Sequence, residues 1–542
     1  MKRGLFGFLI VASLCAGNAR GDVRMPALFG DHMVLQQNMT LSVWGMADPG
    51  EQISVTVGSS KGKITADAAG KWMAKLPPLP VSATPVEMQV EGKNKLVIKD
   101  VLVGDVWLCS GQSNMEFGIG NAPNAKEAIP KMNYPSIRMF LLPHVIAYDL
   151  ETDVPREKSL GQWVVCTPQS VTNIGGWWGF SSAGLFFARD IYEQRKEPLG
   201  LIGAYCGGSP IQAWMSLEAL RSNPGLAKAA AQFETTKADL PALKQKYETE
   251  VLAKWQQEHD AWQAQVGQPL PEGTQRPKEP ARPAASYARG NVPSTLYNGM
   301  INPLIPYGIK GAIWYQGESN AGREEGRAYA SYFATMITDW RQRWGQGDFP
   351  FIYAQLSGWK GAICCTYVRD SQLKTLALPH TGMAVTMDIG DLNDIHPKDK
   401  LNVGRRLALA ARHVAYGENL VYSGPIVQSV KEEGNKMRVA FQHVGGGLVI
   451  GSAPAAKADD APAPKADQLN GFEIAGADKK FVPAQARIDG AGVVAWSDAV
   501  PQPKEVSYCW SPFPVPPANL YNKEGLPASP FNSVEGLPSL SH

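Results

Sequence analysis

The spacing of apolar and polar positions divides this 542-residue chain into three textures. From Asp22 to about Asp100 the apolar runs are short and alternate with period two: Met33–Gln37, Leu41–Trp44, Gln52–Val57 and Val86–Val90. Gly, Pro and Asp punctuate them. Successive side chains on a strand point to opposite faces, so this pattern predicts the half-buried strands of an N-terminal β-sandwich over 22–100. From 101 to 417 the texture changes. Strand-like runs at Val103–Leu108, Ile137–Leu142, Pro198–Ala204, Gly311–Tyr315, Phe351–Gln355 and Met383–Met387 are separated by helical stretches such as Ser182–Tyr192 and Val403–Arg412. Strands alternating with helices predict an α/β unit, a parallel sheet with helices on both faces. Short alternating runs return at Lys436–Phe441, Gly447–Ile450, Gly471–Ile474, Gly492–Trp496 and Glu505–Tyr508, predicting a C-terminal β domain over 418–542.

Two stretches break these textures. Residues 226–289 join a charged, helix-prone segment (Ala229–Gln265) to a proline-rich one (Gln268–Pro283). They read as a helical excursion inserted between sheet elements, a solvated helix pair rather than a rim over a cleft. Ala453–Ala466, rich in Ala, Pro, Lys and Asp, reads as a loop of the last domain.

Composition narrows the setting. Residues 1–21 have a basic start, an apolar run from Leu5 to Cys15 and small residues after it, the layout of a signal peptide. That run is too short to anchor in a bilayer. Leu14 stands before Cys15 where a lipoprotein signal has a small residue. A periplasmic or secreted protein with no membrane span is therefore expected. The net charge of +2 gives no reason to expect a nucleic-acid partner. Six of the seven Cys lie beyond the signal and show no metal-ligand spacing, so no metal and no cofactor are expected; their pairing stays open.

Four segments carry the chemistry. Ser113 follows the Val103–Leu108 run and the turn-permitting Gly111, which puts it at the carboxyl edge of the sheet, where open α/β folds bind ligands. Gly207 and Gly208 follow a second strand and let a backbone N–H approach a ligand. Gln316, Glu318 and Asn320 follow a third. Asp388, Asp391, Asp394 and His396 precede the helix expected near Lys400. Acyl transfer needs this inventory. A serine hydroxyl is a weak nucleophile until a histidine takes its proton, and a carboxylate orients that histidine. The oxyanion needs fixed donors, each worth about 3–4 kcal/mol. The candidates are the N–H groups of Ser113 and Gly208 and the amides of Gln316 or Asn320. Gln112, Asn114, Trp214, Glu318 and Arg369 are candidate substrate contacts, with Trp177 and Trp178 possible walls of a groove.

Together, Gly111-Gln112-Ser113-Asn114-Met115, Gly207-Gly208 with Trp214, Trp314 to Asn320, and Asp394-Ile395-His396-Pro397 resemble the signature segments of the sialate O-acetylesterase-like carbohydrate esterases of the SGNH hydrolase superfamily. The resemblance implies a flavodoxin-like three-layer α/β/α core and metal-free removal of acetyl groups from sugar hydroxyls. It implies Ser113 as nucleophile, His396 as base, and Gly208 and Gln316 at the oxyanion positions. One departure matters: many relatives carry the acid three residues before the histidine, where this chain has Asn393. Asp394 is favoured for the role and Asp391 is the substitute. The expected partner is an acetylated glycan, a sialic acid or else acetylated xylan or another plant polysaccharide. A non-catalytic glycan-binding protein and a metal-dependent hydrolase built on the three aspartates are the competing classes.

Overall fold

The computed structural model describes residues 22–266, 278, 280, 290–361, 365–451 and 468–540. The expected signal peptide, the loop 453–466 and nearly all of the proline-rich segment 268–283 lie outside these residues.

The leading region forms β1 (Val34–Gln36), β2 (Leu41–Met46), β3 (Gln52–Val57), β4 (Ser60–Thr65), β5 (Lys71–Leu76) and β6 (Ser82–Glu91). The alternating burial of β3 and β5 is the period-two pattern of the sequence made physical. β2 and β5 make an antiparallel ribbon, and β3 joins β4 and β6. No linker follows. The next strand, β7 (Lys95–Gly111), is 17 residues long and runs straight through the texture change near residue 100. Its first part pairs with β1 and β6. From Asp105 to Gly111 it pairs in parallel with two strands of the α/β region.

Those two belong to a series made of β8 (Tyr134–Leu141), β9 (Trp163–Cys166), β10 (Leu199–Tyr205), β11 (Gly311–Tyr315), β12 (Phe351–Ala354) and β13 (Thr381–Ala384). The order across the sheet is β13-β12-β11-β7-β10-β8-β9, with β9 an antiparallel edge. The molecule is thus mixed α/β, with a central mixed sheet and further β-sheets. Strand order reverses at β7, and such switch points open a crevice at the carboxyl ends. Gly111 is paired with Tyr205 on one side and Tyr315 on the other. The chain therefore leaves three neighbouring strands at one level, carrying Ser113, Gly207-Gly208 and Gln316–Asn320.

The helix Lys400–Val414 lies against the helix Ser182–Arg195 and against β12 and β13. Gly404 lets the two helices meet: a Cβ there would sit 2.6 Å from that of Phe186. The insertion contributes the helix Ala227–Lys246. After residue 417 two four-stranded sheets form. One contains Ile426–Glu433 and Lys436–Gln442, the other Phe472–Ala475 and Glu505–Tyr508. Among the described residues no helix is long and apolar enough to cross a membrane.

Candidate active site

Ser113 opens a four-residue helix, Ser113–Glu116, directly after β7. The turn into it needs Gly111, whose φ is +135° and whose absent Cβ would fall 2.2 Å from the Tyr315 carbonyl oxygen. No L side chain fits there. His396 arrives on the loop between β13 and the helix Lys400–Val414, which Asp399 caps by accepting from the Asn402 N–H. Its Nε2 lies 3.0 Å from Ser113 Oγ, although 283 positions separate the two in the chain. On the other ring nitrogen, Asp394 Oδ1 stands 3.3 Å from Nδ1 and also accepts from the His396 N–H. Asp391 instead accepts from the N–H groups of Asn393 and Asp394 and so shapes the turn. Burial and the Lys400 charge hold the His396 pKa below its ordinary value, against the pull of Asp394.

Gly208 has φ +71° and is exposed. Neither its N–H nor that of Ser113 donates to another group among the described residues. The expectation for Gln316 and Asn320 needs correction. Gln316 Nε2 donates to Ser209 O and to Asn320 Oδ1, while its Oε1 accepts from Tyr329. Asn320 Nδ2 donates to Gln212 and Glu325, and its Oδ1 accepts from the Ile211 N–H. Both amides are fully buried with every donor engaged, so neither is aimed at an oxyanion. They brace the turn that presents Gly208.

The expected substrate contacts are corrected in the same way. Trp214 is fully buried edge-on to Trp314, and its Nε1 donates to Ser209 Oγ in that same turn. Gln112 Oε1 accepts from the N–H groups of Gly317 and Ser319. Asn114, fully buried behind Ser113, donates to Glu318 Oε1 and to the Ile395 carbonyl. Glu318 therefore serves the Ser113 loop, and burial raises its pKa. Arg369 is fully buried and donates to the carbonyls of Leu356, Ser357, Ser511 and Pro512. It ties the end of β12 to the C-terminal region and reaches no substrate. Asp388 is no metal ligand in waiting, because Arg406 grips both its oxygens at 2.6 and 2.7 Å.

Sequence reasoning missed three groups. Lys400 Nζ donates to Asn114 Oδ1 at 2.5 Å and to the Pro397 carbonyl at 2.7 Å, joining the residue after Ser113 to the residue after His396. Its burial is complete and holds its pKa down to about 7. Four residues after His396, it looked like an ordinary first-turn lysine. Glu116 ends the Ser113 helix and accepts from the Gly207 N–H at 2.7 Å. Its other oxygen stands 3.3 Å from His144 Nε2, and that contact raises the His144 pKa. Only its three-residue offset from Ser113 hinted at a role. The insertion helix Ala227–Lys246 does more than face solvent: Lys228 and Gln232 line a cleft of about 1010 Å³ that Gly208 also lines.

The sequence profile described as "Carbohydrate esterase, sialic acid-specific acetylesterase" matches residues 103–240 and 283–413. The sialate O-acetylesterase of Rattus norvegicus is 30% identical over 480 residues, covering 79% of this chain and 80% of that protein. The Homo sapiens protein of the same name is 28% identical over 478 residues. A solved carbohydrate acetylesterase from Xanthomonas citri is 34% identical, with a TM-score of 0.76, covering 94% of this chain and 99% of its own. Fold, site and relatives define a carboxylic ester hydrolase. Within that class the chain belongs to the sialate O-acetylesterase family of carbohydrate esterases.

Proposed function

We propose that this carbohydrate acetylesterase works through an acetyl-enzyme on Ser113, in an SGNH-type three-layer core, after export. The observation that carries the mechanism is the 3.0 Å approach of His396 Nε2 to Ser113 Oγ, with Asp394 on the opposite nitrogen. His396 takes the Ser113 proton as Oγ bonds to the acetyl carbonyl carbon. The oxyanion meets the N–H groups of Ser113 and Gly208. Collapse breaks the bond to the sugar oxygen, which leaves with the proton from His396. Water, deprotonated by the same imidazole, then releases acetate. Ser113→Ala should lower kcat on an aryl acetate by about 10⁶-fold, as for other dissected triads. Turnover within tenfold of the parent would reject the mechanism.

The relatives' name points to an acetylated sialic acid. One observation favours a second reading, acetylated xylan or another uncharged glycan. The cavity lined by Trp177 carries Glu116 and Glu157 and, among the described residues, no lysine or arginine, and Arg369 is fully buried. Acetate release from the two substrates, measured side by side, decides between them. Export rests on residues 1–21; N-terminal sequencing of mature protein from its source should begin near residue 22.

A further inference from the structure

A cavity of about 490 Å³ is lined by Trp177, whose ring meets His396, and by Glu116 of the Ser113 helix. Its walls include Trp177, His144, Glu116 and the apolar Leu142, Pro143 and Leu160. We infer that this cavity holds the sugar ring that carries the ester. Trp177 offers an apolar face to the ring, and the His144–Glu116 pair bonds a hydroxyl near the acetylated one. The inference deepens the esterase reading and rests on it.

Position is the first argument. Glu116 is one helical turn from Ser113 on the same short helix. The Trp177 ring stands edge-on to the His396 imidazole, with centroids 5.0 Å apart. The Trp177 carbonyl accepts from the Gly118 N–H and the Trp178 carbonyl from the Gly120 N–H, so the segment after Ser113 itself fixes this wall.

Chemistry is the second. Sugar sites combine an aromatic face with a few convergent polar groups. Trp177 is 36% exposed, a large apolar ring left partly in water. His144 is likewise only half covered, with 46% of its side chain exposed. The Glu116 carboxylate retains lone pairs that can accept from a further donor. Glu116 Oε2 meanwhile holds the Gly207 N–H, one residue from the proposed oxyanion donor Gly208. The carboxylate that would read the sugar also steadies the loop that would receive the charge.

The competing seat is a larger cavity of about 1010 Å³, walled by Gly208, Lys228, Gln232 and Glu325. It has no aromatic ring against His396, and its one lining tyrosine, Tyr332, is 8% exposed.

The test compares kcat/KM on acetylated xylo-oligosaccharide with kcat/KM on p-nitrophenyl acetate, which has no sugar. His144→Ala and Trp177→Ala should each lower the ratio of the two at least tenfold, chiefly through the sugar substrate's KM. Trp177→Phe should restore most of the loss. Lys228→Ala should change the ratio less than twofold. Equal losses on both substrates would mean a merely structural role, and an unchanged ratio would empty the cavity of sugar; either overturns the inference. So would a ratio that falls in Lys228→Ala instead. If the parent enzyme hydrolyses neither ester, the esterase mechanism fails first and takes this inference with it.

Discussion

The front and the back of the Ser113 helix hold the same kinds of charge in opposite surroundings. In front stand an imidazole with 23% of its side chain exposed and a carboxylate with 40% exposed, His396 and Asp394. Behind stand Lys400, fully buried, and Glu318, whose Oε2 is buried with no hydrogen-bond partner. Asn114 links the rear pair by accepting from the amine and donating to the carboxylate. In the proposed mechanism the front groups meet substrate and pass a proton, so water has to reach them. The rear groups need only stay in place. Burial fixes them, because an amine that leaves its acceptors inside the protein finds no replacement. One face is built for exchange and the other for position.

The largest expected effect breaks the front face. His396→Ala should cost about as much as loss of the serine, about 10⁶-fold in kcat, because the two act as a unit. Asp394→Asn should cost less than that and far more than Asp391→Asn, with up to about 10⁴-fold expected for a triad acid. Steady-state kinetics on an aryl acetate ranks the three; an Asp391 loss equal to that of Asp394 would erase the distinction drawn from the 3.3 Å contact.

The rear face gives the next effect. His396 must be neutral to accept a proton, so the acid limb of kcat/KM follows its pKa, and the Lys400 charge helps to hold that pKa down. Lys400→Met should therefore move the acid limb to higher pH, whereas simple loosening would lower the plateau and leave the limb in place. Stability gives a second readout with its own sign. Burial lowers the Lys400 pKa from 10.5 to about 7. Between those values the unfolded chain binds more protons, so this group makes stability rise with pH across that window. Lys400→Met should flatten the rise in urea titrations at pH 7 to 10.

The smallest effect on catalysis belongs to Arg369. Arg369→Met leaves four carbonyls without their donor, two of them in buried contacts, and each buried group so orphaned costs about 1–3 kcal/mol. The melting temperature should fall, while KM for an acetylated sugar at low temperature should stay within about twofold. A large KM change would return this arginine to the substrate.

Much of the fold was legible. Residues 311–315, 351–354 and 492–496 are strands where apolar runs lay between turn residues, and the helices around residues 182–195 and 400–414 follow the apolar stripes. The continuity of β7 was not legible, because alternation marks a strand without saying which sheet it joins. In the site, residue type and place on the chain singled out Ser113 and His396, and the fold brings them to 3.0 Å. The duties of Gln316, Asn320, Trp214 and Arg369 were not. An amide or a guanidinium at a strand end can face substrate or neighbour, and the requirement that buried polar groups be paired is met by whichever partner lies closest.

By itself the sequence determined the period of each element, the glycine that only a positive φ explains at position 111, and the presence of a hydroxyl, an imidazole and an acid in one α/β region. Tertiary structure alone decided which of them meet. Parallel strands bring residues hundreds of positions apart to one edge, and a contact between side chains depends on the register of those strands, which no local run of residues encodes.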